Sequence, residues 1–116
     1  MDIGVCMSPE VLEHKLEAQR ERNTEAAWNV RSVPKGLGQP GLSDRLFVAS
    51  EGAWIGYFVL STEVLFSPED KAVPWTLLFD TKTWTPIKPM PVKRFRGIRK
   101  VNPGEIDLDD QGQGMK

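Results

Sequence analysis

The chain has a single cysteine, Cys6, and a single histidine, His14, in 116 residues. That scarcity excludes an internal disulfide framework and leaves too few ligands for a Cys-rich zinc site, so no metal is assigned. Nowhere do about 18 apolar residues run together, and the first ten residues carry no basic leader. These absences predict neither export nor a membrane span, and a reducing cytoplasmic setting for the lone thiol. There is no P-loop, no dinucleotide fingerprint and no Gly-x-Ser-x-Gly elbow, so no cofactor and no catalytic residue is assigned. The net charge of −1 excludes a protein that is basic all over. Any contact with nucleic acid must therefore come from local clustering.

The apolar content is 40%, with four Trp and five Phe, which suffices for one core in one domain. Its centre is Leu46 to Leu60, Leu-Phe-Val-Ala-Ser-Glu-Gly-Ala-Trp-Ile-Gly-Tyr-Phe-Val-Leu. This reads as two strands joined at Ser50-Glu51-Gly52, because it is rich in aromatic and β-branched residues and lacks polar alternation. Such strands are covered on both faces, as inside a small barrel. Gly52 suits a tight turn, and Gly56 in mid-strand suggests a bulge where a sheet curls.

In chain order, Ile3 to Met7 is a short strand. Ser8-Pro9-Glu10 then starts a helix predicted over 9–22, with a capping serine, a first-turn proline and an acid near the positive end. Residues 26–33, with Trp28, Val30 and Val33, form a half-buried strand, and 34–41 form a Gly/Pro loop. Residues 63–66 extend the second central strand. Trp75 to Phe79 is the next strand, with a turn expected at Asp80-Thr81-Lys82-Thr83. The prolines at 86, 89 and 91 impose an extended, edge-like path on 84–91. Ile98 and Val101 mark a closing strand, which Pro103-Gly104 breaks. The fold expected is α+β: a small, strongly bent, mostly antiparallel β-barrel of five or six strands with one main flanking helix. It occupies residues 1–103, and 104–116 form an acidic tail expected to be disordered.

In this order the pieces resemble the PUA-like superfamily, in particular its ASCH and EVE branches. The features that carry the resemblance are Cys6-Met7-Ser8-Pro9 leading into a helix, Trp28 to Pro34 with Arg31, and Ser43-Asp44-Arg45 before Leu46-Phe47-Val48. Ile55-Gly56-Tyr57-Phe58-Val59 and Phe95-Arg96-Gly97-Ile98-Arg99 complete it. The resemblance spans roughly residues 3–101 and implies a pseudobarrel that binds RNA or modified bases in a cleft. The chain departs from the ASCH pattern Gly-x-Lys-x-x-Glu-x-Arg: it keeps Arg31 but has no glutamate two residues before it. The Lys/Thr/Glu catalysis of some members is therefore not carried over.

The strongest charge feature is Lys82 to Lys100, which holds Lys82, Lys88, Lys93, Arg94, Arg96, Arg99 and Lys100 and no acid. Those seven cations within a net charge of −1 leave −8 on the remainder, so the molecule is electrically polarised. Such a surface attracts phosphates and releases counterions on binding. Trp84 and Phe95 interleave with it, and aromatics beside cations are what single-stranded bases stack upon. The candidate nucleic-acid-binding residues are Trp28, Arg31, Trp84, Lys93, Arg94, Arg96 and Arg99. The bland alternative is a solvated edge paired with the tail or the helix acids, with Arg31 held by Glu25 or Asp44. Trp54 and Trp75 read as core, His14 as a solvent-exposed helix residue and Cys6 as a small buried hydrophobe.

Two other functions stay open at this point. Aromatics beside arginines also serve protein hot spots, so the edge fits a small regulatory module with an acidic protein partner. A hydrolase acting on a modified nucleoside would need lysine, threonine and glutamate converging in a cleft.

Overall fold

Ser50 pairs with Ala53 across a two-residue turn in which Glu51 (φ 52°) and Gly52 (φ 83°) both adopt the left-handed region. Positive φ at both central positions is what matches a tight turn to the right-handed twist of its strands. The computed structural model, which describes residues 1–17, 25–37, 44–102 and 104–106, builds outward from this hairpin of β3 (Arg45–Ser50) and β4 (Ala53–Phe66). β1 (Asp2–Cys6) adds to β3 in parallel, and β5 (Trp75–Pro91) adds to β4 antiparallel. β2 (Glu25–Val30) and β6 (Ile98–Lys100) complete a six-stranded sheet in the order β2-β5-β4-β3-β1-β6. The architecture is a strongly curled half-barrel with one short helix, α1 (Pro9–Glu17). β2 and β6 are its two edges.

The unalternated apolar run of the hairpin has the expected cause. Leu46 and Val48 point into a core with Ile3, Val5, Phe58, Leu77 and Phe79. Phe47 and Ala49 point the other way, into a second core with Trp54, Ile87 and Val101. Alternate residues of a strand face opposite sides, so two cores demand apolar residues at every position. Gly56 lies where the register shifts against both neighbouring strands, which bends the sheet there. Outside the sheet interior, Asp2 holds Arg45 in a two-point ion pair at 2.9 and 2.7 Å. That hydrogen bonding raises the Arg45 pKa above its ordinary value.

The turn expected at 80–83 is a bulge within β5. Asp80 Oδ1 accepts from the Lys82 amide at 2.9 Å, and the Thr83 hydroxyl donates to the Asp80 carbonyl at 2.6 Å. The same hydroxyl accepts from the Val59 amide at 2.8 Å. Thus turn-forming side chains take over from ladder hydrogen bonds while the strand continues. Beyond the bulge, β5 pairs with β4 alone, because β2 meets it only over 75–80. The three prolines therefore sit on the edge-like path expected of them.

α1 begins as predicted, with the Val11 amide donating to Ser8 Oγ at 3.2 Å. It is described to Glu17; the rest of the predicted 9–22 span lies outside the described residues, as do 38–41 of the predicted loop. β2 stops at Val30, so Arg31, Ser32 and Val33 leave the ladder. Of the expected tail, residues 107–116 lie outside the described residues. Ile106 is buried in the second core, and Glu105 pairs with Arg99 at 2.6 Å.

Candidate functional site

A half-barrel leaves a seam between its edge strands, and a groove of about 450 Å³ lies there. The end of β2 supplies Trp28, Asn29 and Val30, followed by Arg31 and Ser32 as the chain leaves the ladder. The approach to β6 supplies Arg96, Gly97 and Ile98, and Val73 closes the groove from the β4–β5 connection. Gly97 at φ 67° takes a left-handed bend that has no Cβ penalty for glycine, and it leads the chain into β6. Three of the seven candidate residues, Trp28, Arg31 and Arg96, thus meet in one place. Among the described residues, no carboxylate lines it.

Trp28 is half-buried and is braced from the helix side. The Lys15 ammonium lies 5.4 Å from the Trp28 ring centroid and 5.8 Å from that of Phe79, and donates to the Ala27 carbonyl at 3.0 Å. Burial lowers the Lys15 pKa by penalising its charged form. One part of the indole is therefore covered by a cation while another lines the groove. Such placement restricts the ring without occupying the groove.

The other four candidates go elsewhere. Arg94 lines a second groove, also about 450 Å³, formed by Cys6, Met7, Ser8 and Pro9 with the β3–β4 turn. Glu51 shares that lining, so the second groove is mixed in charge. Cys6 is half-buried there, more open than a core residue. Arg99 is held by Glu105 and lies over Trp54 and Phe95, at 5.8 and 5.7 Å from their centroids. Lys93 is exposed on the 92–97 connection. Trp84 packs 4.8 Å from Phe58, against the first core, and does not line the seam groove.

Of the tryptophans read as core, Trp54 is buried and Trp75 is half-buried against the first core. His14 lies on the exposed side of α1. The sequence reading did not find Ser32, Val73 or Gly97 as groove residues. Ser32 and Gly97, adjacent to Arg31 and Arg96, had a local signal; Val73 reaches the groove through strand pairing far from it in sequence.

Among the described residues, no three His, Cys, Asp or Glu side chains gather as metal ligands, and no helix is long and apolar enough to cross a membrane. No family model, no curated protein and no solved structure matches this chain.

Proposed function

We propose that the chain is a non-catalytic nucleic-acid-binding module that prefers RNA or single strands and uses the seam groove. The observation that carries this reading is the convergence of Trp28, Arg31 and Arg96 on a concave site that has no carboxylate among its described lining residues. A guanidinium binds phosphate through paired N–H donors, and an indole stacks on any base. Two guanidinium groups beside one indole, each supplied by a different edge of the sheet, match one nucleotide with its flanking phosphates. The half-barrel agrees with the resemblance to PUA-like domains, and through that resemblance the reading extends to modified bases. Among the described residues, no lysine, threonine or glutamate lines this groove.

The test is titration of the protein with short RNA and DNA at several salt concentrations. Binding that weakens with salt, and weakens further in Arg31→Ala and Arg96→Ala, supports the reading. No binding at low salt overturns it. Recovery of a tightly bound protein in place of nucleic acid would move the function to a protein-interaction module.

A further inference from the structure

We propose that Phe66 and Trp75 form a second base-stacking site beside the groove, so that the ligand is a single strand of two or more nucleotides. This rests on the nucleic-acid reading above and deepens it. The register of three strands carries the inference. Trp28 is opposite Leu77, which is opposite Val64; Val30 is opposite Trp75, which is opposite Phe66. Directly paired residues point to the same sheet face, and residues two apart on a strand share a face. Trp28, Trp75 and Phe66 therefore lie on one face, at the end of the sheet where the first core runs out toward solvent.

Leu77 and Val30 in these rows are buried, but Phe66 is 54% exposed, the most open of the large apolar side chains among the described residues. Its ring meets that of Trp75 at 4.6 Å between centroids, tilted by 53°. A large aromatic held open at a sheet end costs solvation unless something covers it. The connection that follows is well tied: the Ser67 amide donates to the Pro74 carbonyl at 2.7 Å, and Asp70 Oδ1 accepts from the amides of Ala72 and Val73. That fixes Val73 as a wall of the groove two residues before Trp75, so groove and aromatic pair are contiguous.

The charges favour a polynucleotide as occupant. Arg31 follows Val30, the partner of Trp75, so a groove guanidinium stands one residue beyond the row that holds Trp75 and Phe66, within reach of a phosphate attached to a base stacked there. The 67–74 connection carries two acids, Glu69 and Asp70, and one cation, Lys71; Asp70 turns an oxygen to the amides of Ala72 and Val73, and the two guanidinium groups of the adjoining groove outweigh the remaining charge. From strand spacing and rise, Trp75 stands about 8 Å and Phe66 about 12 Å from Trp28 along the sheet. These are distances that a sugar-phosphate backbone spans between neighbouring unstacked bases.

The experiment compares the affinity of the protein for adenosine 5′-monophosphate and for an adenine tetranucleotide RNA at low salt, in the native protein, Phe66→Ala and Phe66→Trp. The native protein is expected to prefer the tetranucleotide. Phe66→Ala should cut the ratio of tetranucleotide to mononucleotide affinity by about 5- to 150-fold, the loss of one stacked base. Phe66→Trp should restore it. An unchanged ratio in Phe66→Ala, including an equal fall for both probes, overturns the second stacking site while the groove reading stands. Failure of the native protein to bind either probe removes the nucleic-acid reading and this inference with it.

Discussion

The ring of Trp84 lies against the backbone of Gly56: a Cβ built on that glycine would stand 2.5 Å from Trp84 Cη2, 2.6 Å from Cζ2 and 2.7 Å from the Thr85 carbonyl oxygen. A side chain at residue 56 must therefore displace both an indole and a strand backbone. The missing side chain is a packing requirement here, because Gly56 does not adopt a positive φ. Gly56→Ala is expected to lower unfolding stability by about 1–3 kcal/mol, the usual cost of overpacking. Denaturant unfolding checks this, and an unchanged midpoint would show that β5 yields at its bulges.

Arg31 and Arg96 share a groove, whereas Arg94 lines another. Each alanine substitution at Arg31 or Arg96 should flatten the slope of log affinity against log salt by about 0.7, the value for one single-strand phosphate. In the double variant the losses should depart from additivity, because both groups act on one ligand segment. Arg94→Ala combined with either should add within about 0.5 kcal/mol. Titrations of the three single and three double variants measure this.

The carboxylate of Glu105 occupies one side of Arg99, and Arg99 is itself stacked over Trp54 and Phe95. Glu105 is fixed further, since its Oε1 accepts from the Asn102 amide at 3.2 Å. Glu105→Gln removes the competing anion and leaves Arg99 open to phosphate. The variant should bind RNA more tightly at low salt, with a slope steeper by about 0.7. Affinity equal to that of the native protein would show that Arg99 serves the fold alone.

Ile106 follows immediately and is buried in the second core with Phe47, Trp54 and Val101. Ile106→Ala is expected to cost at least about 2 kcal/mol of stability. Truncation after residue 104 should therefore lower the unfolding midpoint below that of truncation after residue 106. Equal midpoints for the two truncations would contradict the packing of Ile106.

Lys15 carries a pH signature. Its pKa is lowered in the folded state by burial, so between that value and its ordinary 10.5 the unfolded chain binds more protons than the folded one. Stability from this group therefore rises with pH through that window, and the penalty of the buried charge is present in full below it. Relative to Lys15→Met, the native protein should gain stability as pH approaches about 10.5. A difference between the two that does not change with pH would mean that the ammonium stays solvated.

Local chemistry in the chain accounts for most of the elements. Two consecutive positive-φ residues set the hairpin, Ser8 and Pro9 start the helix, and every apolar position of β3 announces a strand between two cores. Three closely spaced prolines likewise confine the end of β5 to an edge. The Asp-Thr-Lys-Thr segment misled for a physical reason, since the side-chain hydrogen bonds that make a turn also stabilise a bulge when a neighbouring strand supplies an amide. The basic stretch is legible as charge, but its division is not. Arg94, Arg96 and Arg99 differ by only a few positions, yet the path of the 92–97 connection and the bend at Gly97 send them to a second groove, the seam and an ion pair respectively. Composition could mark Trp28, Arg31 and Arg96 as cations and an aromatic suited to nucleotides. Only the curl of the sheet, which brings the edges β2 and β6 toward each other, makes them one site, because proximity between distant segments is a property of strand order and not of any local pattern.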